Sequence, residues 1–375
     1  MSQKCYKNIQ IEDLRNLVKK KSPKTIFLVT GKKSFSLSGA KNFIESALKG
    51  FNFIQFNDFE ENPKYEDVLS GMSLFNKHNC DLVIAIGGGS ALDMAKLVNV
   101  FSANHREDYF SIVNQNATIL NKGKTLIAIP TTTGTGSEAT HFAVVYHDKV
   151  KYSVTNNFLL PDVVGLNYKF SLSQPSYLTA CAGLDALSQA IESYWSNRST
   201  DESKKYAKEA ILLLIKFLET RVLRTTEESA MAVSHGSYLA GKAINISKTT
   251  ASHAISYTFT SFFSIPHGHA VFLTLPKFIE FNSKVSNIDV NDSRGEKYVR
   301  NNIGLLCDLL GVDSATEANK LLKNLTEKIG IELSLSKLGI DNKENHQLIS
   351  DNINMERLKN NPRKFNKKDL IDVFY

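Results

Sequence analysis

Cysteine is scarce in this 375-residue chain, and its four thiols, Cys5, Cys80, Cys181 and Cys307, have no paired spacing. That excludes a disulfide framework and a cysteine zinc site, and leaves isolated thiols. Long apolar runs are also missing. The longest aliphatic stretch, Ile211-Leu212-Leu213-Leu214-Ile215, is far too short to span a bilayer. The opening segment MSQKCYKNIQ is polar and lacks the apolar core of a secretory signal, so a soluble, cytoplasmic protein is expected. The net charge is a moderate +7, spread along the chain. Its densest cluster, Lys19-Lys20-Lys21, ends a short amphipathic segment and reads as solvated. No basic stripe interleaved with aromatics occurs, which argues against nucleic-acid binding. A modest positive charge still steers small anions toward the surface.

What the chain does have is length for two domains and apolar residues for their cores. Residues 1–170 alternate strand-like and helix-like segments, the pattern of a mostly parallel sheet covered by helices. Strands are expected at Thr25 to Thr30, Phe51 to Phe56, Leu82 to Ile86 and Thr125 to Ile129. Helices are expected at Gly39 to Leu48, Tyr65 to His78 and Ala91 to Phe101. Phe142 to His147 and Val150 to Val154 read as a hairpin turning at Asp148-Lys149. From Ser176 onward apolar residues recur at helical spacing. Tyr206 to Leu218, Ser229 to Ile246 and Ser252 to Phe263 are the clearest helices. The expected fold is therefore an α/β domain over 1–170 and an all-α domain over 171–375, with Asn354 to Lys368 as a basic surface helix and loop.

Two loops in the first half carry chemistry. After the strand Leu82 to Ile86 comes Gly87-Gly88-Gly89-Ser90, then a helix containing Asp93. Glycines let the backbone approach a pyrophosphate, and the positive end of the following helix favours an anion. Ser90 and Asp93 equally fit a capping box, which needs no ligand. After Thr125 to Ile129 comes Pro130-Thr131-Thr132-Thr133-Gly134-Thr135-Gly136-Ser137-Glu138. Its hydroxyls suit ribose and phosphate oxygens, or a loop that satisfies itself. Both loops leave the C-terminal ends of strands, as a dinucleotide site requires.

In the second half Asp185 and Gln189 stand four apart on one helix face, and His253 and His267 each open a helix downstream. Mixed carboxylate and imidazole ligands suit Fe²⁺ or Zn²⁺. Read alone, the four residues fit a metal site and ordinary core or surface roles about equally.

The segments GGGSALDMAK, PTTTGTGSE, AGLDALSQAIESYW and SHAISYTFTSFFSIPHGHA, in this order, resemble the iron-dependent (group III) alcohol dehydrogenases. The resemblance runs from about Thr25 to Pro276 and more weakly to the end. It implies a dehydroquinate synthase-like architecture, with a dinucleotide-binding α/β domain, a helical domain, and a cleft holding metal and nicotinamide. It assigns Gly87, Gly88, Gly89, Ser90 and Asp93 to the phosphate turn. Thr131, Thr132 and Thr135 are placed around NAD(P)H, with Thr140 and Lys151 nearby. Asp185, His253 and His267 match three ligands of Fe²⁺ or Zn²⁺. It also implies a homo-oligomer, expected as a dimer, acting on a small aldehyde or alcohol without nucleic acid or membrane.

Two positions depart from the family. Gln189 replaces the usual fourth, histidine ligand, and an amide oxygen is a weaker donor than imidazole. Tyr257 stands where many members carry a proton-relaying histidine. With His267 it forms the expected catalytic pair, Tyr257 serving either as a proton relay or as an aromatic wall. Gln189, Tyr257, Glu192 to Ser196, Pro266 to Ala270 and Phe142 to Val154 together resemble the phosphonoacetaldehyde-reductase branch. A small aldehyde bearing a dianion needs a cation opposite the metal. Lys242 is a candidate, or else a snorkelling surface lysine. A dehydrogenase for short aliphatic or diol alcohols and a sugar-phosphate cyclase resembling dehydroquinate synthase are the alternatives. The strand end Thr30-Gly31-Lys32-Lys33 lacks the acid that would repel a 2′-phosphate, so NADPH is expected to be accepted.

Overall fold

The computed structural model describes residues 3–106, 108–148, 150–353 and 355–374. The chain divides into two units, Met1–Gln174 and Pro175–Tyr375.

The first unit contains strands β1 (Lys4–Tyr6), β2 (Ile26–Thr30), β3 (Phe53–Phe56), β4 (Leu82–Gly87), β5 (Thr125–Pro130), β6 (Phe142–His147), β7 (Val150–Thr155) and β8 (Val163–Gly165). Its helices are α1 (Ile11–Lys21), α2 (Lys33–Leu37), α3 (Ala40–Ala47), α4 (Tyr65–Lys77), α5 (Gly89–Ser102) and α6 (Phe110–Val113). Six strands form one parallel sheet in the order β1-β8-β5-β4-β2-β3, and β6 and β7 pair separately as an antiparallel hairpin. The near-continuous apolar runs of β2, β4 and β5 follow from burial on both sheet faces. Phe27, Val29, Val83, Ala85, Leu126 and Ala128 enter the core shared with α4 and α5. The alternate residues Ile26, Leu28, Leu82, Ile84, Ile127 and Ile129 enter the core shared with α1 and α3. The register pairs Gly87 with Pro130, so the loops that leave β4 and β5 start side by side.

The second unit opens with α7 (Ser176–Trp195), α8 (Asp201–Leu223), α9 (Glu227–Ser247), α10 (Ala251–Phe263), α11 (His267–Phe272) and α12 (Leu275–Ser283). It continues with α13 (Glu296–Leu310), α14 (Ala315–Lys328), α15 (Lys343–Asp351), α16 (Met355–Leu358) and α17 (Leu370–Phe374). Helix α7 is buried almost from end to end because it packs against α8, α9 and α11 together. Thr200 and Thr226 cap α8 and α9 by accepting from the backbone N–H of Ser203 and Ser229, which fixes where each helix begins.

The protein is thus an α/β unit followed by a helical one, as the sequence pattern implies. The short strands β1 and β8 are additions, since neither shows a readable alternation. The hairpin turns through Asp148 at φ 48°, while Lys149 lies outside the described residues. The reading of Asn354 to Lys368 as a surface segment is corrected, Asn354 itself lying outside the described residues. Asn360, Asn361 and Phe365 are buried there. Asn360 donates to the carbonyls of Ser247 and Thr249 at 2.9 Å, so buried amides dock this polar stretch against the end of α9.

Candidate functional site

In the first unit, Gly88 begins α5 with an extended backbone and without a side-chain cap. The Ser90–Asp93 capping box therefore does not form. Ser90 Oγ accepts from the N–H of Asn62 at 3.2 Å. Asp93 accepts from the hydroxyl of Ser137 and, at 2.9 Å, from the N–H of Val144. Asp93 is thus a strut between the two loops and β6, and as an acceptor it is unsuited to touch a phosphate. The uncapped amino end of α5 keeps its positive dipole for an anion.

The threonine loop lies against this turn. Thr131 N–H donates to the carbonyl of Gly87 at 2.9 Å. A Cβ at Gly89 would meet Thr135 Cγ2 at 2.9 Å, so glycine there serves the contact between the loops. The hydroxyl oxygens of Thr131 and Thr133 are buried without a hydrogen-bond partner. Such orphaned groups fit a polar ligand that would complete them. Thr132 is half-buried and Thr135 exposed on the same loop. Thr140 is fully buried and its hydroxyl accepts from Lys96 at 3.2 Å, so it braces the loop from within. Lys151 stands on β7 opposite Tyr146.

Lys96 went unnoticed in the sequence. It is fully buried, and Nζ donates to Ser137 Oγ at 2.8 Å and to the carbonyl of Phe142 at 2.9 Å. Burial lowers its pKa, against the opposing pull of Asp93 and Glu138. Burial likewise pushes the Glu138 carboxyl up to about 7, with Lys96 working against it. The Lys96–Asp93 spacing of i, i+3 on a helix was the available signal.

In the second unit three side chains come together that could hold a metal ion. Asp185, His253 and His267 bring one ligand atom each within 4.8 Å of the others. Asp185 Oδ1 lies 3.4 Å from His253 Nε2 and 4.0 Å from His267 Nε2. That oxygen is buried without a conventional hydrogen bond, the state expected of a ligand facing an ion. Gln189 is buried one turn beyond Asp185 and bonds to its carboxylate. Burial pushes Asp185 upward, but His253, His267 and Gln189 outweigh it and hold the carboxyl below its usual range. Gly268 sets the spacing of two of these residues. A Cβ there would meet the carbonyl oxygen of Cys181 at 1.9 Å and the nitrogen of Asp185 at 2.8 Å. Glycine lets α11 lie on α7, and so brings His267 beside Asp185.

Glu192 completes the arrangement. Its carboxylate bonds to Nδ1 of His253. It also accepts from Thr250 Oγ1 at 2.7 Å and from the N–H of Ser252 at 3.0 Å, so it caps α10 from α7. Nδ1 being engaged, His253 turns Nε2 toward Asp185, the orientation that a metal-binding imidazole requires. Burial disfavours the imidazolium, but Glu192 and Asp185 prevail and raise His253 to about 9 in the metal-free protein. Asp185, Gln189 and Glu192 follow i, i+4, i+7 spacing, which was the readable signal.

Tyr257 stacks on His267, with ring centroids 5.8 Å apart and planes 12° from parallel. The Arg357 guanidinium lies 5.0 Å from the Tyr257 ring centroid. Burial raises the phenol pKa and Arg357 only opposes this, so Tyr257 carries its proton at neutral pH. The candidate cation Lys242 is corrected. Its Nζ donates to Tyr206 Oη at 2.7 Å and sits 3.9 Å over that ring, on a pair of helices that hold no candidate ligand.

Two family descriptions match the chain: "Iron-containing alcohol dehydrogenase" over residues 3–168 and "Fe-containing alcohol dehydrogenase family, C-terminal" over residues 179–375. An NADPH-dependent butanol dehydrogenase of Clostridium saccharobutylicum is 31% identical, over 98% of this chain and 94% of that protein. A 1,3-propanediol dehydrogenase of Citrobacter freundii is 29% identical, over 87% of this chain and 83% of that one. The crystal structure of a sulfoacetaldehyde reductase from Bifidobacterium kashiwanohense in complex with NAD+ superimposes with a TM-score of 0.87. That protein is 26% identical, and the match covers 100% of this chain and 96% of the other.

Proposed function

Because the chain belongs to the iron-containing alcohol dehydrogenases, we propose that it reduces a small aldehyde to a primary alcohol with NAD(P)H, as a cytoplasmic homodimer. The observation that carries this reading is the Asp185, His253 and His267 cluster, oriented by Glu192. These residues would hold Fe²⁺ or Zn²⁺, with Gln189 as a weak fourth ligand. The turn Gly87 to Ser90 and the hydroxyls of Thr131, Thr132 and Thr135 would hold the dinucleotide.

When bound, the metal supplies polarisation of the carbonyl and the reduced nicotinamide supplies hydride. The chain's own residues do the rest. Glu192 keeps the His253 proton on Nδ1, so that Nε2 remains a lone-pair donor. Tyr257 holds a proton on Oη beside His267 and delivers it to the product oxygen. In sum, aldehyde, NAD(P)H and a proton become alcohol and NAD(P)+.

For the substrate, the proposal is an anionic two-carbon aldehyde, phosphonoacetaldehyde, giving 2-hydroxyethylphosphonate. Its support is the segments around Gln189 and Tyr257, together with likeness to a reductase of another anionic acetaldehyde. Likeness to butanol and propanediol dehydrogenases supports an uncharged substrate instead. Rates for phosphonoacetaldehyde, sulfoacetaldehyde, butanal and lactaldehyde, with either dinucleotide and with added Fe²⁺ or Zn²⁺, decide between them. Higher kcat/KM for the phosphonate is expected. Equal or better reduction of the uncharged aldehydes overturns that assignment while leaving the reductase reading intact.

A further inference from the structure

The basic segment near the C-terminus has been given no task so far. Arg357, on α16, donates from Nη1 to Thr249 Oγ1 at 3.0 Å and lies against the Tyr257 ring. Tyr257 in turn stacks on His267. Two successive ring contacts thus separate the guanidinium from the ligand cluster. Beside it stands Lys248, the residue between Ser247 and Thr249, whose carbonyls are both bound by Asn360. Lys248 has φ 62° and ψ 175°, a conformation nearly reserved for glycine. A lysine held in such a backbone indicates that its side chain is wanted there. Burial, then repulsion from Arg357 and Arg198, lowers Lys248 to about 8. Arg357 and Arg198 both repel Lys248, and an anion placed between these side chains would relieve that repulsion.

We infer that Arg357 and Lys248 form the subsite for the anionic group of the substrate, a tetrahedral oxyanion on a short aldehyde. This rests on the aldehyde-reductase reading above. Arg357 offers paired N–H donors that match two oxygens of a phosphonate or sulfonate, and Lys248 adds a compact charge. A longer uncharged chain would bury apolar atoms against two cations, which desolvation penalises.

The test compares wild type with Arg357→Met, Arg357→Lys and Lys248→Met, using phosphonoacetaldehyde, sulfoacetaldehyde and propanal. It adds calorimetric binding of methylphosphonate and methanesulfonate, which needs no turnover. The ratio of kcat/KM for the charged aldehyde to that for propanal should fall at least 30-fold, on the order of 2 kcal/mol, in Arg357→Met. Arg357→Lys should recover part of it, and methylphosphonate affinity should fall in parallel. The two anions distinguish a dianionic from a monoanionic tail, either of which satisfies the subsite. A uniform loss on all three aldehydes with methylphosphonate binding retained overturns the inference, as does an unchanged ratio. If wild type reduces no aldehyde, the reductase reading fails. Loss of methylphosphonate binding in Arg357→Met would then still support the anion subsite.

Discussion

Glu192 reaches from α7 to Nδ1 of His253 on α10, and the same carboxylate accepts the backbone N–H groups that open α10. One side chain therefore fixes both the start of the helix and the direction in which its imidazole points. Glu192→Gln keeps the shape and an oxygen for the backbone, but presents an amide where Nδ1–H needs an acceptor. Metal affinity should fall about 10- to 100-fold, with the helical content unchanged. Metal analysis after dialysis against a graded chelator measures this. Undiminished retention of metal would show that Glu192 serves only as a cap.

His267→Ala should abolish metal content and turnover while leaving dinucleotide affinity within about twofold, since Thr131 and the glycine turn belong to the other unit. Fluorescence titration with NADPH and metal analysis of the same sample check both halves. Full activity of that variant, or of wild-type protein shown to be metal-free, would sink the proposed metal role.

Gln189→His restores the imidazole that the family usually has at this position. It should strengthen metal retention by about tenfold or more, because imidazole is the better donor to a transition metal. Competition with a chromophoric chelator reads the change. Weaker retention would mean that Gln189 is needed as the partner of Asp185.

Glu138 contributes a pH dependence to the first unit. Its folded pKa of about 7 lies above the ordinary carboxylate value because it is buried. The folded state therefore holds this proton more tightly than the unfolded one. The stability linked to it is present below about pH 4.5 and is lost as pH rises through about 7. Glu138→Gln should raise the Tm at pH 8 and leave it nearly unchanged at pH 5. The gain at pH 8 is on the order of 3 kcal/mol. Equal effects at both pH values would contradict the assignment.

NADPH should be used at least as well as NADH. The end of β2 presents Gly31 and no acid, and Lys32 is exposed in a loose pair with Asp58 at 3.6 Å. Gly31→Asp should shift the ratio of kcat/KM toward NADH by about tenfold, through repulsion of a 2′-phosphate. The approach of Ser34 Oγ to 2.5 Å from a Cβ at this position requires that hydroxyl to rotate away. A wild-type preference of tenfold or more for NADH would contradict the proposal.

Much of this was legible in the sequence because it lies in short contiguous motifs. The glycine turn after β4 and the threonine loop after β5 declare themselves by composition, and the helices by apolar spacing. Glu192, Lys96 and Arg357 did not, since their roles depend on partners distant in the chain. Glu192 looks like an ordinary polar residue on a helix until His253 is folded against it. Lys96 would be taken as solvated, yet it is enclosed by Ser137, Thr140 and Phe142. Arg357 sits in a stretch whose polarity resembles a surface, while its amides are consumed by the carbonyls around α9. Lys242 attracted notice because it interrupts an apolar run, and Tyr206 explains that interruption.

The three candidate ligand residues are drawn from α7, α10 and α11, so the cluster cannot exist on a growing chain until His267 has left the ribosome. By then the whole glycine- and threonine-loop unit has already been made. Before that point the chain offers at most Asp185, Gln189 and His253 of this set.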